Sequence, residues 1–411
     1  EIMKDDETER YLGDIVGNNV TEEERFEEAL EKMEKIAKRW SKEDIGTRGR
    51  VIIANTLILA QIKYRAAVNA VSSRLKKTTK EIIRNFIWRG SKLSKVSWEK
   101  MTKPIEQGGM NLIDPATAMD AEKIRIVKNM IVKSDQPWVK WMQRELQGIQ
   151  KEHSIEGNIW NTPGQARKKR NIDASRLMGQ TLKVWYELGG TSRGEQGLGI
   201  EIAGQWKSIE HIKTNAIYKV LIIKRQKKQK ERTRRANHAL TTIKNKLTAK
   251  ERDYWFRVEH RIISIKKREH KWRRDSKGNR VSNLCPMCRK KEEDWNHYEY
   301  DCEAIQTLIQ NIRDLEEYVT EEVRGRKKET NWKAPSREEW HQAQDMDLSR
   351  MIVIAKIRKL YHGIRCRIDN KQCKQLDIDI LIDWTKKDIQ NIKKLLTNKD
   401  RATNSSNENN T

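Results

Sequence analysis

Four residues between positions 285 and 302 have the types and the spacing of metal ligands. Cys285, Cys288, His297 and Cys302 follow the pattern C-x2-C-x8-H-x4-C. Thiolate sulfur and imidazole nitrogen are the ligands that Zn²⁺ favours in closed tetrahedral sites, and four protein ligands leave no position for a reacting water. The pattern therefore predicts a structural zinc site. Buried thiols beside a hydrogen-bonded histidine are the alternative.

Two further cysteines, Cys366 and Cys373, lie beyond this motif. His362 is the one histidine at a short distance from them, so the spacing favours unpaired thiols in a core over a second metal site. Clustered cysteines of this kind fit a reducing compartment, and the sequence shows no secretory signal and no transmembrane segment. The expected location is the nucleus and the cytoplasm.

The charge of the chain is strongly positive, with 85 Lys and Arg against 59 Asp and Glu and a formal net charge of +26. Solubility needs a much smaller imbalance. A polyanion is the expected partner, because Lys and Arg neutralise phosphates and release their condensed counterions. A membrane-surface role would need a long apolar face, and the most apolar segment, Val51 to Ile62, is too short to span a bilayer.

Three clusters of basic residues are the candidates for nucleic-acid contact, with a merely solvated surface as the alternative for each. One flanks the helix predicted over 77–88, one is a dense run that also fits a nuclear-localisation signal, and one directly precedes the metal motif. Arg167 to Arg170 is a further candidate for either role. Trp88 and Trp98 could stack on bases, but their spacing favours a core position. The candidates for nucleic-acid contact are Lys76, Lys77, Lys80, Arg84, Arg89, Lys92, Lys95, Lys224, Arg225, Lys227, Lys228, Lys230, Arg232, Arg234, Arg235, Lys266, Lys267, Arg268, Lys271, Arg273 and Arg274.

The positions of the apolar residues predict a mainly α fold. Thr21 and Glu24 form a capping box, and apolar residues then recur at helical spacing, which predicts a helix over 21–41. Glycines cluster between short apolar runs from Gly148 to Gly204, which indicates a loop-rich junction. Further helices are predicted over 48–68, 77–88, 115–132, 209–223, 347–362 and 376–396.

Several short elements carry a resemblance to a known family. They are Tyr11-Leu12-Gly13, Gly49-Arg50, Phe86-Ile87-Trp88, Ser97-Trp98, Gly108-Gly109-Met110-Asn111-Leu112, Ile217-Tyr218-Lys219 and the cysteine motif. Their order and spacing resemble the C-terminal part of reverse transcriptases from LINE-type, non-LTR retrotransposons. The resemblance covers 11–133 and 255–302 and is poor over 140–205 and after 303. Glu293 resembles the family's Glu-Thr/Ser-x-x-His variant, with Asp294 in place of the hydroxyl residue.

The resemblance implies a division of the chain into palm-like, thumb-like and zinc-binding parts. Residues 1–20 would end a palm-like segment, 21–135 would form a thumb-like helical bundle and 136–207 a loop-rich linker region. A basic helical segment over 208–254, a zinc-binding module over 255–310 and C-terminal helices over 311–400 would follow. The tail over 401–411 is expected to be disordered.

No catalytic residue is predicted in this chain. The family holds its Mg²⁺ ions with an upstream aspartate and an aromatic-x-Asp-Asp hairpin, which would belong to the missing polymerase part. Asp5 and Asp6 lack the aromatic residue and the apolar strands of that hairpin, so a solvated loop is expected there. The acids of Leu376 to Asp383 are expected on the polar side of a helix and not in a nuclease site.

The function implied by the resemblance is that of the nucleic-acid-binding C-terminal portion of a retrotransposon reverse transcriptase. The parent would be an RNA-directed DNA polymerase that primes synthesis at a nicked target, and this portion would grip template RNA and target or primer DNA. The chain alone is expected not to polymerise DNA, to bind no membrane and to take no small-molecule substrate. The alternative is a stand-alone zinc-dependent RNA-binding protein derived from a retroelement.

Overall fold

A computed structural model of the chain describes residues 8–11, 14–17, 19–90, 96–161, 172–173, 175–225, 247–306 and 348–370. Of these residues 62% are helical and 7% lie in strands. The prediction of a mainly α fold is therefore confirmed for the described part of the chain. The candidates Asp5, Asp6 and Cys373 and the segments Arg167–Arg170, Leu376–Asp383 and 401–411 lie outside it.

The chain divides into two compact units. One comprises Glu1–Ile105 and Gly109–Glu231, and the other comprises Glu106–Gly108 and Arg232–Thr411. The α-helices in the described part of the first unit are α1 (Glu22–Ser41), α2 (Thr47–Ile53), α3 (Ala60–Val68), α4 (Ser73–Ile87), α5 (Trp98–Thr102), α6 (Pro115–Val132), α7 (Pro137–Glu152), α8 (Leu177–Leu188) and α9 (Thr214–Arg225). Its strands are β1 (Glu9–Tyr11), β2 (Asp14–Val16), β3 (Thr191–Ser192), β4 (Leu198–Ile202) and β5 (Gln205–Ser208).

The first long helix begins where the sequence predicts it. The Thr21 side chain accepts from the Glu24 backbone N–H, and the Glu24 carboxylate accepts from the Thr21 N–H at 2.8 Å. This capping box satisfies two of the N–H groups that a helix start leaves without partners. Phe26, Ala29 and Met33 of α1 then point into the core.

The helix predicted over 48–68 is interrupted in the structure. A π-helical turn, Ala54–Ile58, separates α2 from α3, and the Leu59 N–H donates to the Ala54 carbonyl five residues earlier. The two parts are bent by 41°. Among the described residues no single helix is long and apolar enough to cross a membrane, although this bent pair would pass a test of length and composition.

Helix α6 is the central element of the first unit. Its Ala121, Ile124 and Val127 pack in one apolar cluster with Trp185 of α8 and Leu221 of α9. Asp114 caps the start of α6 by accepting from the Thr117 N–H at 2.9 Å, and Pro115 occupies the first turn. The predicted bounds of 115–132 are those observed.

The interval 136–207 differs from the loop-rich junction that the sequence predicted. It contains α7, α8 and an antiparallel sheet of order β3-β4-β5. The glycines misled the prediction because they end and join elements. Gly189 stops α8 in the left-handed conformation at φ 73°, and Gly204 with Ala203, both at positive φ, forms the two-residue turn between β4 and β5.

The described helices of the second unit are α10 (Ala249–Glu259), α11 (Lys266–Glu269) and α12 (Leu348–Asp369). Helix α10 begins at a second capping box, formed by Thr248 and Glu251. The prediction of a helix over 347–362 is extended to Asp369 by the structure. The helix predicted over 376–396 lies outside the described residues.

Candidate metal centre and the basic residues around it

The first two candidate ligands lie on a tight knuckle. The Cys285 N–H donates to the Lys291 carbonyl at 2.8 Å, and the Arg289 N–H donates to the Cys285 carbonyl at 2.8 Å. Within this turn the N–H groups of Cys288 and Met287 donate to the Cys285 sulfur. Backbone donors of this kind stabilise a thiolate and orient it toward a metal.

The other two ligands come from the segment after the knuckle. The Asp294 carboxylate accepts from the His297 N–H at 2.8 Å and thereby caps a helical segment whose last part, His297–Asp301, is a π-helical turn. Cys302 follows that turn directly. Asp294 thus makes the hydrogen bond that a serine or threonine makes at a helix start, which explains why an acid is acceptable at this position.

The four side chains meet at one point. The Cys285 and Cys302 sulfurs are 3.9 Å apart, and the Cys288 sulfur is 3.3 Å from Nε2 of His297. All four ligand atoms lie within 4.8 Å of one another. Tetrahedral zinc, with Zn–S bonds of about 2.3 Å, would place two sulfurs ~3.8 Å apart. The cluster can therefore hold a metal ion, and its geometry is compatible with structural zinc.

The protonation of the cluster also fits a cation. The hydrogen bond from Cys285 lowers the pKa of Cys302, and the same contact raises the pKa of Cys285. Two neighbouring thiols share one proton because two bare thiolates would repel each other. A bound divalent ion removes that restriction, since its charge deprotonates the coordinating thiols.

Helix α12 is attached to this centre by a buried ion pair that the sequence did not reveal. The Arg365 guanidinium donates through Nε and Nη2 to the two oxygens of Glu293, and both side chains are almost fully buried. Glu293 also accepts from the Lys266 N–H at 2.7 Å, and Arg365 donates to the Ser264 carbonyl at 3.1 Å. Glu293 therefore ties α11 and α12 to the chain just before His297.

A second contact between α12 and the centre involves His362. The Tyr298 hydroxyl lies 2.9 Å from Nδ1 of His362, and Tyr254 of α10 lies 3.4 Å from the same hydroxyl. Burial lowers the pKa of His362 to about 3, so the ring is neutral and shares a hydrogen bond with the Tyr298 hydroxyl. Cys366 lies 3.6 Å from His362, outside the four-ligand cluster.

The basic residues that precede the motif have different environments. Lys266 is buried and pairs with Glu269 and Asp369, Lys267 pairs with Glu292 at 2.6 Å, and Arg273 pairs with Glu269 at 3.0 Å. Arg268 donates to the Arg261 carbonyl at 3.3 Å. Lys271 and Arg274 are exposed, and no described carboxylate pairs with either.

Some of the candidates on and after helix α4 also make contacts inside the first unit. Lys76 pairs with the buried Asp120 at 2.7 Å, and Nζ of Lys80 lies 4.8 Å from the centre of the Trp98 ring. Arg84 is half-buried, whereas Lys77 and Arg89 are exposed. Lys92 and Lys95 lie outside the described residues.

Of the dense basic run, the described part contributes to the fold. Lys224 donates to the Leu188 carbonyl at 2.9 Å, at the end of α8. Arg225 pairs with Asp120 at 2.9 Å and with Glu187 at 2.6 Å. The remaining candidates of this run lie outside the described residues: Lys227, Lys228, Lys230, Arg232, Arg234 and Arg235.

The two tryptophans considered for base stacking have structural contacts. Trp88 is buried, and the Trp98 indole N–H donates to Asp114 at 2.7 Å. The expectation that they occupy the core is confirmed for Trp88, while Trp98 is half-buried against Lys80.

Comparison with known proteins adds no family to these observations: no family model matches the chain, and no curated protein matches it.

Replacement of one ligand tests the metal centre. We expect Cys302→Ser to reduce the metal content of the purified chain well below that of the wild type, because a three-ligand site loses much of its affinity. Elemental mass spectrometry measures the amount and also identifies the metal. Cys366→Ser is the matched control, since this thiol lies outside the cluster, and it should retain the metal. Equal metal content in Cys302→Ser and the wild type would exclude the ligand assignment.

Removal of the buried arginine tests the attachment of α12. We expect Arg365→Met to destabilise the second unit by about 3–5 kcal/mol, because it leaves the Glu293 carboxylate buried and unpaired. The double variant Glu293→Gln with Arg365→Met should recover much of this loss, since glutamine can still accept from the Lys266 N–H. The measurement is a urea unfolding curve, in which the release of metal to a chelating dye reports the unfolding of the second unit.

Lys359→Met, on the same helix, is the control for this experiment and should change the midpoint little. An Arg365→Met midpoint equal to that of Lys359→Met would show that the ion pair does not hold the second unit together.

Proposed function

We propose that this chain is the nucleic-acid-binding C-terminal portion of a retroelement reverse transcriptase, with a structural zinc ion at Cys285, Cys288, His297 and Cys302. The observation that carries the proposal is the convergence of these four ligands in a chain with a net charge of +26. A closed four-ligand site supplies folding energy and not catalysis. The chemistry of the parent would reside outside this chain, and this portion would hold template RNA and target DNA.

Contacts between the short elements of the first unit support this proposal. Arg50 donates to the Phe86 carbonyl at 3.0 Å, so the Gly49-Arg50 and Phe86-Ile87-Trp88 elements meet. The Asn55 amide donates to the Asn111 carbonyl at 2.8 Å. The Asp114 N–H donates to the Tyr218 hydroxyl at 3.0 Å. Elements that lie far apart in the sequence are thus used to fix one helical bundle, as a thumb-like domain would require.

Gly109 lies very close to the backbone of Lys103. A Cβ atom at this position would lie 2.0 Å from the Lys103 carbonyl oxygen, which no real side chain tolerates. The N–H groups of Met110 and Leu112 both donate to the Met101 carbonyl, at 3.2 and 3.0 Å. The close approach of the backbone therefore requires a glycine at position 109. This requirement supports the Gly-Gly-x-x-Leu element as part of the resemblance.

The surface charge supports a nucleic-acid partner after the internal ion pairs are set aside. Lys76, Lys266 and Arg225 are used inside the fold, and we leave them out of the proposed surface. Exposed candidates are present in both units, with Lys77 in α4 and Lys271 after α11 as examples. Phosphate contacts of this kind position a nucleic acid without reading its sequence.

Binding to single-stranded RNA tests the proposed partner. We expect the affinity of the full chain for a fluorescein-labelled RNA oligonucleotide to fall steeply with salt. Contact with about five phosphates would cost roughly 100-fold between 50 and 200 mM salt, because each neutralised phosphate releases counterions. Fluorescence anisotropy measures the affinity.

A peptide nucleic acid of the same sequence is the control for this experiment, since it carries bases without phosphates, and it should not bind. Affinity for RNA that is absent at low salt, or that does not change with salt, would exclude nucleic-acid binding through the basic surface.

The parent activity has a separate test in the genomic DNA upstream of the codon for Glu1. We expect an open frame that encodes an aromatic-x-Asp-Asp motif some tens of residues before Tyr11, because the polymerase needs those carboxylates for its two metal ions. A stop codon close upstream would contradict the reverse-transcriptase assignment and favour a stand-alone RNA-binding protein derived from a retroelement.

A further inference from the structure

A short hairpin rich in positive charge lies between α11 and the first two metal ligands. We call residues 271–280 the basic hairpin. Arg274 and Arg280 form an antiparallel bridge, and the Asp275 N–H donates to the Asn279 carbonyl at 2.8 Å. The Gly278 N–H closes the turn on the Asp275 carbonyl at 3.1 Å. Gly278 has φ 82°, the left-handed conformation that a three-residue hairpin loop needs at this position.

The one acidic residue of the basic hairpin, Asp275, forms hydrogen bonds within the turn of the hairpin. Oδ1 of Asp275 accepts from the N–H groups of Lys277 and Asn279, each at 2.9 Å. A side chain that bonds its own backbone in this way fixes the turn. The Asp275 carboxylate is therefore directed into the turn, and within the described residues it forms no ion pair with Arg274 or Arg280.

The two arginines face each other across the hairpin. Like charges directly opposite on paired strands are destabilising. Arg274 and Arg280 are both exposed, and within the described residues no carboxylate forms an ion pair with them or with Lys271 and Lys277. This contrasts with Lys266, which precedes the hairpin and has two carboxylate partners. A bound phosphate would relieve the repulsion, because guanidinium groups donate two parallel hydrogen bonds to its oxygens.

An exposed tryptophan accompanies these charges. Trp272 lies two residues before Arg274 and is 63% exposed. Aromatic side chains on a basic surface stack on unpaired bases, and this stacking tolerates any base. A membrane surface would need a broader apolar face, whereas the residues that flank Trp272 are Lys271 and Arg273.

We propose that the basic hairpin binds a single-stranded segment of nucleic acid, with a phosphate held by Arg274 and Arg280 and an unpaired base stacked on Trp272. This inference rests on the proposed nucleic-acid function and adds the contact residues and the strandedness of the partner. A blunt duplex offers phosphates to the arginines, but its bases are stacked on one another and are closed to Trp272. The basic hairpin therefore prefers unpaired nucleotides.

Two variants of the full chain test this inference by fluorescence anisotropy with matched single-stranded and duplex oligonucleotides, each in RNA and DNA form. Trp272→Ala should weaken single-strand binding by roughly 5- to 150-fold, the range for loss of one base-stacking aromatic, and should leave duplex binding and the salt slope unchanged. Arg274→Gln with Arg280→Gln should reduce the salt slope on single strands by about 0.7, the contribution of the one phosphate that the two arginines hold.

Each variant has a matched control. Trp141, 58% exposed on α7, is the control for the aromatic side chain, and Trp141→Ala should bind as the wild type does. Lys133→Gln with Lys151→Gln removes two exposed charges elsewhere and should leave a larger salt slope than the arginine pair does. Metal content equal to the wild type shows that each hairpin variant is folded around the metal centre.

The outcomes separate the two proposals. Wild-type binding that is salt-dependent, together with unchanged binding by both hairpin variants, would overturn the role of the basic hairpin and leave the proposed function standing. Equal losses on single strands and duplexes in Trp272→Ala would overturn base stacking. Absence of wild-type binding to every oligonucleotide at low salt would overturn both proposals.

Discussion

An excess of positive charge is the physical constraint that both units must meet, because a buried cation is tolerated only with oxygen partners. The chain has 85 Lys and Arg for 59 Asp and Glu. Some of the buried cations pair with carboxylates, and others donate to backbone carbonyls. Lys123 is fully buried and donates to the Ala66 and Asn69 carbonyls at 3.0 and 2.8 Å, while Arg50 donates to the Phe86 carbonyl and to three others before α2.

These carbonyls are mostly those at helix ends. The last carbonyls of a helix have no partner within it and carry partial negative charge. Lys123 reaches the end of α3, Lys224 reaches the end of α8, and Arg50 reaches the end of α4 at Phe86. Burial nevertheless lowers the pKa of Lys123 to about 7, although the nearby Asp120 charge raises it. The cations are thus divided between helix ends, buried ion pairs and the surface.

Whether a feature could be predicted from the sequence depends on whether it is formed by neighbouring residues. The capping box of Thr21 and Glu24 and the spacing of Cys285 and Cys288 are local patterns, and local patterns determine helix starts and knuckles directly. Lys76 and Arg225 meet on Asp120, and Glu293 meets Arg365 across 72 positions, so no local pattern reveals these pairs. A basic residue in a dense run therefore cannot be assigned to solvent or to the fold until its partners are known.

The same reasoning connects the metal centre with the basic hairpin. The chain before the hairpin is held by the Lys266 N–H on Glu293, and the chain after it by the knuckle at Cys285. The base of the hairpin is closed by His270, whose Nδ1 lies 2.6 Å from the Val281 carbonyl. A metal on the four ligands and the Glu293–Arg365 pair would fix both ends of this segment. The fold can then hold Arg274 and Arg280 opposite each other, at a cost in folding free energy that salt or an anionic ligand would reduce. In this way a structural metal can stabilise a surface that it does not touch.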